Sequence, residues 1–211
     1  MSARVLLLFL TLSVVLTVAV TMISAVAAIA LPLLNESLLT SWSVVSGQGS
    51  EAVMVAEASQ SSSVELTEGV LTVSTTTITF GFIRAMNILL VGGVVTAIIW
   101  SLRQVVSDIQ SGRPFNSSSI RYLRRTGYLL ALLPAWLFME VFIRFYMFSP
   151  SAVSKADFYM THIKFLTEDG AQYFIYPDFD MGYLVAGMFV LVIAQAFKVG
   201  HDLQLDSDEI I

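Results

Sequence analysis

Apolar residues dominate four long stretches of the chain, and polar residues collect between them. Val5–Leu34 has no charged residue. Phe80–Val106 has Arg84 near its start and Arg103 near its end. Tyr122–Phe148 carries Glu140 and Arg144, and Met181–Phe197 is uncharged until Lys198 stops it. A helix needs about 20 predominantly apolar residues to cross a hydrocarbon core of roughly 30 Å. Lipid offers no water to backbone N–H and C=O groups, so each stretch must pair them internally, as a helix does. The pattern predicts transmembrane helices at 1–34, 80–106, 122–148 and 181–198. The first run exceeds the ~7–15 residues of a signal-peptide apolar core, so a retained helix is expected despite the small residues Ala25, Ala28 and Ala30.

The segments between the spans follow another period. In 35–79 the run SVELTEGVLTVSTTTITF alternates apolar and polar residues around Glu68-Gly69. In 149–180 the run HIKFLTEDGAQYFIY has Glu168-Asp169-Gly170 at its centre. Gly after an acid between two β-prone runs signals a hairpin. A lone hairpin is marginal in water, so the two are expected to share one small extracytoplasmic sheet. The stretch 43–58, SVVSGQGSEAVMVAEA, fits either a further hairpin or a loop followed by a short helix. The fold class is therefore an all-α membrane protein, a four-transmembrane-helix bundle with small β-hairpin elements.

Composition narrows the function. Of 211 residues 56% are hydrophobic and 13% charged, against about 45–50% and about 25% in soluble domains; a disordered chain is excluded and a water-soluble globule disfavoured. A net charge of −5 leaves no basic footprint for nucleic acid. With no cysteine there is no disulfide, thiolate nucleophile or Cys-bound zinc. No G-x-S-x-G, H-E-x-x-H, P-loop or dinucleotide motif occurs. A non-enzyme with no cofactor and no metal is the expectation. His162 and His201 fall on opposite sides of the membrane and cannot share an ion.

Charge placement predicts orientation. Arg103, Arg113, Arg121, Arg124 and Arg125 crowd the stretch 103–125, where Asp108 is the one acid. The segment 35–79 has no Lys or Arg but has Glu36, Glu51, Glu57, Glu65 and Glu68. Lys155 and Lys164 in 149–180 face Asp157, Glu168, Asp169, Asp178 and Asp180. Lys and Arg concentrate in cytoplasmic loops. The turn 107–121 is thus placed inside, the loops 35–79 and 149–180 outside, and both termini in the cytoplasm of a cell with a plasma (inner) membrane. Trp100 and Tyr128 fall near the inner boundary, Tyr146 and Tyr183 near the outer one. The tail 199–211, with Asp202, Asp206, Asp208 and Glu209, reads as a solvated acidic end.

The turn DIQSGRPFNSSSIRYLRRTG is legible in detail. Gly112 suits a left-handed helix end, Pro114 forces its predecessor to extend, and Asn116, Ser117 or Ser118 can cap the next helix. Phe115, just before the cap, can fold back on that helix as a staple. Arg121, Arg124 and Arg125 recur at helical spacing and can reach anionic headgroups. The run Gly112-x-Pro114-Phe115, then Ile120-Arg121-x-Leu123-Arg124-Arg125-x-Gly127, resembles the signature of an uncharacterised bacterial membrane family, domain of unknown function 2975. Family members carry Asn where this chain has Ser119. The C-terminal run is similar as well, through Ala194, Phe197, Gly200, Leu203 and Asp206, with Gln195 where Glu is common. The N-terminal half fits by its spans alone. The resemblance implies a four-helix inner-membrane protein of unknown activity. It also implies a regulatory or stress-linked role, since relatives are often encoded beside helix-turn-helix regulators.

The costly residues are the ionisable ones inside spans, about 2.5–3.5 kcal/mol each when unpaired at the helix centre. Glu140 and Arg144 share a helix face. Arg144 lies as far from Arg125 as Arg84 lies from Arg103 on the oppositely running helix, so the two arginines match in depth, with Asn87 and Glu140 about one turn deeper. Arg84, Asn87, Glu140 and Arg144 are predicted to form one polar cluster, either a structural clamp or a substrate or proton site, unless the arginines snorkel. Pro134 should bend the third helix, and Gly92-Gly93 and Gly182 with Gly187 allow close helix approach. Two functions remain: a regulatory or interaction protein acting through a protein partner, a second copy or lipid, or a small oligomeric transporter or channel using the Glu/Arg cluster.

Overall fold

The apolar stretches become four long helices in a computed structural model of the chain, which describes residues 3–47, 54–56, 62–67, 69–112, 115–148, 153–167 and 170–208. They are α1 (Ala3–Leu33), α2 (Ile78–Gln110), α3 (Ser117–Phe148) and α4 (Met181–Asp208). All four are long and apolar enough to cross a membrane, and the chain is a multi-pass membrane protein. Leu8, Phe9, Leu12, Val15, Leu16 and Ile23 stand exposed along α1, a surface stable against lipid tails and not against water.

Local chemistry ends the helices. Past α1, Asn35 adopts φ 59°. Its N–H donates to Pro32 O and the Glu36 N–H to Leu31 O, the paired bonds of a Schellman end. After α2, Gly112 takes φ 77° and donates to Ile109 O, as the sequence suggests. The Ile120 N–H bonds to Asn116 O, which makes Asn116 the cap position of α3. Helix α3 therefore starts five residues before the expected 122. Pro134 lies inside α3, fully buried, without ending it. The tail through Asp208 is a continuation of α4 rather than a separate end: its residues 202–206 are exposed yet helical. Pro114, Arg113, Glu168, Asp169 and Glu209 lie outside the described residues.

The chain divides into two compact units. One comprises residues 1–23, 88–136 and 180–211 and is helical. Val105 of α2, Leu123 of α3 and Ala194 of α4 form its buried core, flanked by Tyr122, Val190, Ile193 and Phe197. Gly127 and Gly187 bring α3 and α4 together: a Cβ at Gly187 would lie 2.7 Å from Gly127 O and 2.6 Å from Ala131 N.

The other unit comprises 24–87 and 137–179. Its strands are β1 (Leu38–Ser43), β2 (Val45–Ser46), β3 (Met54–Ala56), β4 (Ser62–Thr67), β5 (Val70–Thr75), β6 (Val153–Phe158), β7 (Ile163–Thr167) and β8 (Gln172–Ile175). They form two antiparallel sheets, in the orders β1-β5-β4-β3 and β2-β8-β7-β6. Both expected hairpins are present, β4–β5 with Gly69 at φ 79° and β7–β8 with Gly170 at φ 78°. They do not share one sheet. Each sits in its own, and the first loop lends β2 to the second, pairing Val45 with Phe174. Strands β2 and β3 from the stretch 43–58 thus pair with different neighbours, neither with each other nor as a helix. The reason is burial. Strands β1, β5, β7 and β8 each alternate a buried with a more open face, and one four-stranded sheet could not cover its own apolar face. Trp42, Leu71 and Val73 from the first sheet meet Ile163, Phe165, Tyr173 and Ile175 from the second in one core. Phe145 of α3 is wholly buried within it.

Candidate functional site

Two constellations stand out, one in each unit. The first is built on β1. Its alternation places Thr40 and Trp42 inward and turns the Leu39 side chain outward. On α3, Arg144 Nε lies 3.2 Å from Glu140 Oε1, with 30% and 19% of the two side chains exposed. The N–H is not aligned for a hydrogen bond, so the contact is an ion pair. Arg144 Nη1 donates to Thr40 Oγ1 at 3.0 Å, and its guanidinium stands 5.1 Å from the centre of the Trp42 ring. That ring meets Phe145 edge-on at 5.8 Å. Arg84 Nη1 of α2 donates to Leu39 O at 2.6 Å. Two arginines from two helices therefore grip consecutive residues of one strand. Asn87, half-buried, lies one turn further along α2.

The sequence matched Arg84 and Arg144 in depth, with Glu140 about one turn deeper; the strand the arginines hold was missed. Thr40 and Trp42 sit in a short alternating run, LLTSWS, whose one signal was the tryptophan among small polar residues.

The second constellation is the α2–α3 turn. Asp108, two residues before the end of α2, accepts from Ser118 Oγ at 2.8 Å and from Ser119 Oγ at 2.7 Å. Ser119 is fully buried. The sequence offers Ser118 as a possible cap of α3; with Ser119 it links α3 to α2. A carboxylate beside the first turn of α3 also complements its positive dipole end. Phe115, placed by the sequence as a staple on α3, reaches α4. Its ring meets Phe197 of α4 at 5.4 Å, tilted 65°, and lies where a Cβ at Gly200 would come within 2.9 Å. Ile120 and Leu123 are buried, and Gly127 approaches Leu191 and Gly187 of α4. Arg121, Arg124 and Arg125 point outward and are exposed.

The two runs that are far apart in sequence, 112–127 and 194–206, thus meet in one interface: Phe115 on Phe197 and Gly200, Leu123 on Ala194. A family model described as "Protein of unknown function (DUF2975)" matches residues 79–211, more than half of the chain. The chain belongs to the DUF2975 family. No curated protein and no solved structure shows significant similarity to it. The DUF2975 match begins at the start of α2 and runs through the turn, α3, β6–β8 and α4. Within the matched stretch, Phe115, Leu123 and Gly127 pack toward α4, while Arg121, Arg124 and Arg125 are exposed.

A direct check on the turn is Asp108→Ala. It strands two hydroxyls, one of them on a fully buried residue, and removes charge-assisted bonds each worth about 1.5–3 kcal/mol. A loss of about 2 kcal/mol in detergent unfolding is expected, with Asp108→Asn retaining part of it through its amide oxygen.

Proposed function

We propose that this protein is non-enzymatic and acts through contacts with lipid and with a protein partner. In this reading the α2–α3 turn faces the cytoplasm, both termini are cytoplasmic, and the sheet-bearing unit is extracytoplasmic in a bacterial plasma membrane. The excess of arginine in 103–125 over the Lys- and Arg-free segment 35–79 supports that orientation. The observation that carries the reading is the state of the turn. Asp108, the acid among these arginines, is engaged by two serine hydroxyls, and Arg121, Arg124 and Arg125 stand exposed beside it. Exposed guanidiniums on a well-tied helix start suit anionic headgroups.

On the second sheet, Tyr159 stacks on His162 at 4.6 Å, and Phe174 and Tyr176 continue the row. Tyr159 and Tyr176 are exposed. Aromatic side chains are enriched where proteins meet, which supports an extracytoplasmic partner or a second copy there. The Arg84/Glu140/Arg144 cluster acts as a clamp between helices and β1, because each arginine is spent on a strand partner. The competing transporter reading uses the same cluster; equal liposome flux for wild type and Glu140→Gln would end it.

Because the chain has no cysteine, single cysteines test the orientation cleanly. Tyr159→Cys should react with a membrane-impermeant maleimide in intact cells, and Ser111→Cys should react after lysis alone. The opposite pattern overturns the proposal. Photo-crosslinking from position 176 in native membranes should capture a discrete partner; background alone removes the protein-contact half.

A further inference from the structure

Within the helical unit, a groove of about 340 Å³ runs between residues 18–22 of α1 and 89–100 of α2, with Arg125 of α3 also in its wall. Its floor is the contact of Gly92 with Thr21 of α1. Gly93 also lines it, and a Cβ there would meet nothing within 4 Å. Thr96 is polar by type, yet its hydroxyl donates to Gly92 O at 2.7 Å, so the wall it presents is its methyl.

The groove is charged at one end. Arg125 is eight residues into α3 and Trp100 ten residues before the end of α2, about 12 and 15 Å from the turn at 1.5 Å per residue. They share one level. Arg103, one turn from Trp100 toward the turn, holds its guanidinium 5.2 Å from the Trp100 ring and donates to Thr11 Oγ1 of α1 at 2.9 Å. From Trp100 to Leu89 the groove then extends about 16 Å along α2, close to half of a hydrocarbon core of about 30 Å. An apolar slot about one leaflet long, with the exposed Arg125 in its wall at the Trp100 end, suits a phospholipid with an anionic headgroup.

We infer that the α1–α2 groove is a specific site for one acyl chain of an anionic phospholipid whose phosphate is held by Arg125. The inference deepens the lipid half of the proposed function and rests on it for the side of the membrane concerned. The charge at one end and the leaflet-length apolar wall suit a lipid; a helix of a second copy is the alternative occupant that the test separates.

The test uses the full chain in detergent, titrated with phosphatidylglycerol or phosphatidylcholine and read by native mass spectrometry. Wild type should retain one phosphatidylglycerol with roughly tenfold preference over phosphatidylcholine. Gly93→Leu fills open space with a better helix former, so its thermal unfolding should be no lower than wild type while retention of that single lipid falls at least tenfold. Gly93→Met serves if the leucine variant folds poorly. Arg125→Gln should abolish the headgroup preference and leave residual binding of both lipids. Arg121→Gln/Arg124→Gln should lower the number of loosely bound phosphatidylglycerols and spare the tight one, which separates failure of the groove from failure of the broader lipid reading. Wild-type retention in both Gly93 variants overturns the site. So does full competition by soluble glycerol phosphate, which marks a bare phosphate site, or loss of a dimer rather than of lipid, which marks a second copy as the occupant.

Discussion

Arg144→Met is expected to destabilise the protein by about 2–3 kcal/mol, and Glu140→Met/Arg144→Met to recover at least half of that. The single change removes one partner of an ion pair that is largely withdrawn from solvent, with 19% of the Glu140 side chain exposed. Breaking a buried pair costs about 3–5 kcal/mol, mostly through the charge left behind, whereas replacing both members by apolar residues is often near neutral. Partial exposure lowers the first figure. The loss of the Thr40 hydrogen bond and of the contact with Trp42 keeps the double variant short of full recovery. Reversible unfolding in mixed micelles measures both. A double variant no better than the single would mean that Arg144 matters for its grip on β1 and not for Glu140.

Gly187→Ala is expected to cost about 2 kcal/mol, and Gly93→Ala to stabilise by about 0.5–1 kcal/mol. Both glycines lie in helices, where Ala is intrinsically better by about that amount. The sign is decided by what a methyl meets. At Gly187 it meets backbone, Ala131 N at 2.6 Å and Gly127 O at 2.7 Å, which moves only if α3 and α4 separate. Overpacking of this kind typically costs about 1–3 kcal/mol, and close backbone approach through small residues is what holds helices together in lipid. At Gly93 it meets open space. Parallel thermal melts of the two variants decide the matter, and equal shifts would show that the α3–α4 approach is not tight in solution.

The legibility of the chain differed with the range of the interaction. Gly112 and the Glu68-Gly69 and Asp169-Gly170 turns were readable because a positive φ is a property of one residue and its neighbours. The Glu140–Arg144 pair was readable because helical spacing places i and i+4 on one face. Asp108 stood in plain view as the lone acid among arginines. Its actual partners, Ser118 and Ser119, depend on how α3 leaves the turn. Phe115 had a local option, the staple, readable from its position before the cap; its contact with Phe197 and Gly200 depends on how α4 returns beside the turn.

By itself the sequence determined that four greasy segments become helices, where two hairpins turn, and which titratable groups share a depth, since these follow from hydropathy, backbone conformation and helical rise. Only the tertiary structure decided that the loops make two sheets closing on Phe145, that Arg84 and Arg144 seize adjacent residues of β1, and that a groove opens beside Gly93. Those outcomes depend on which amphipathic faces find each other across long separations in the chain, and a one-dimensional pattern carries the faces without their partners.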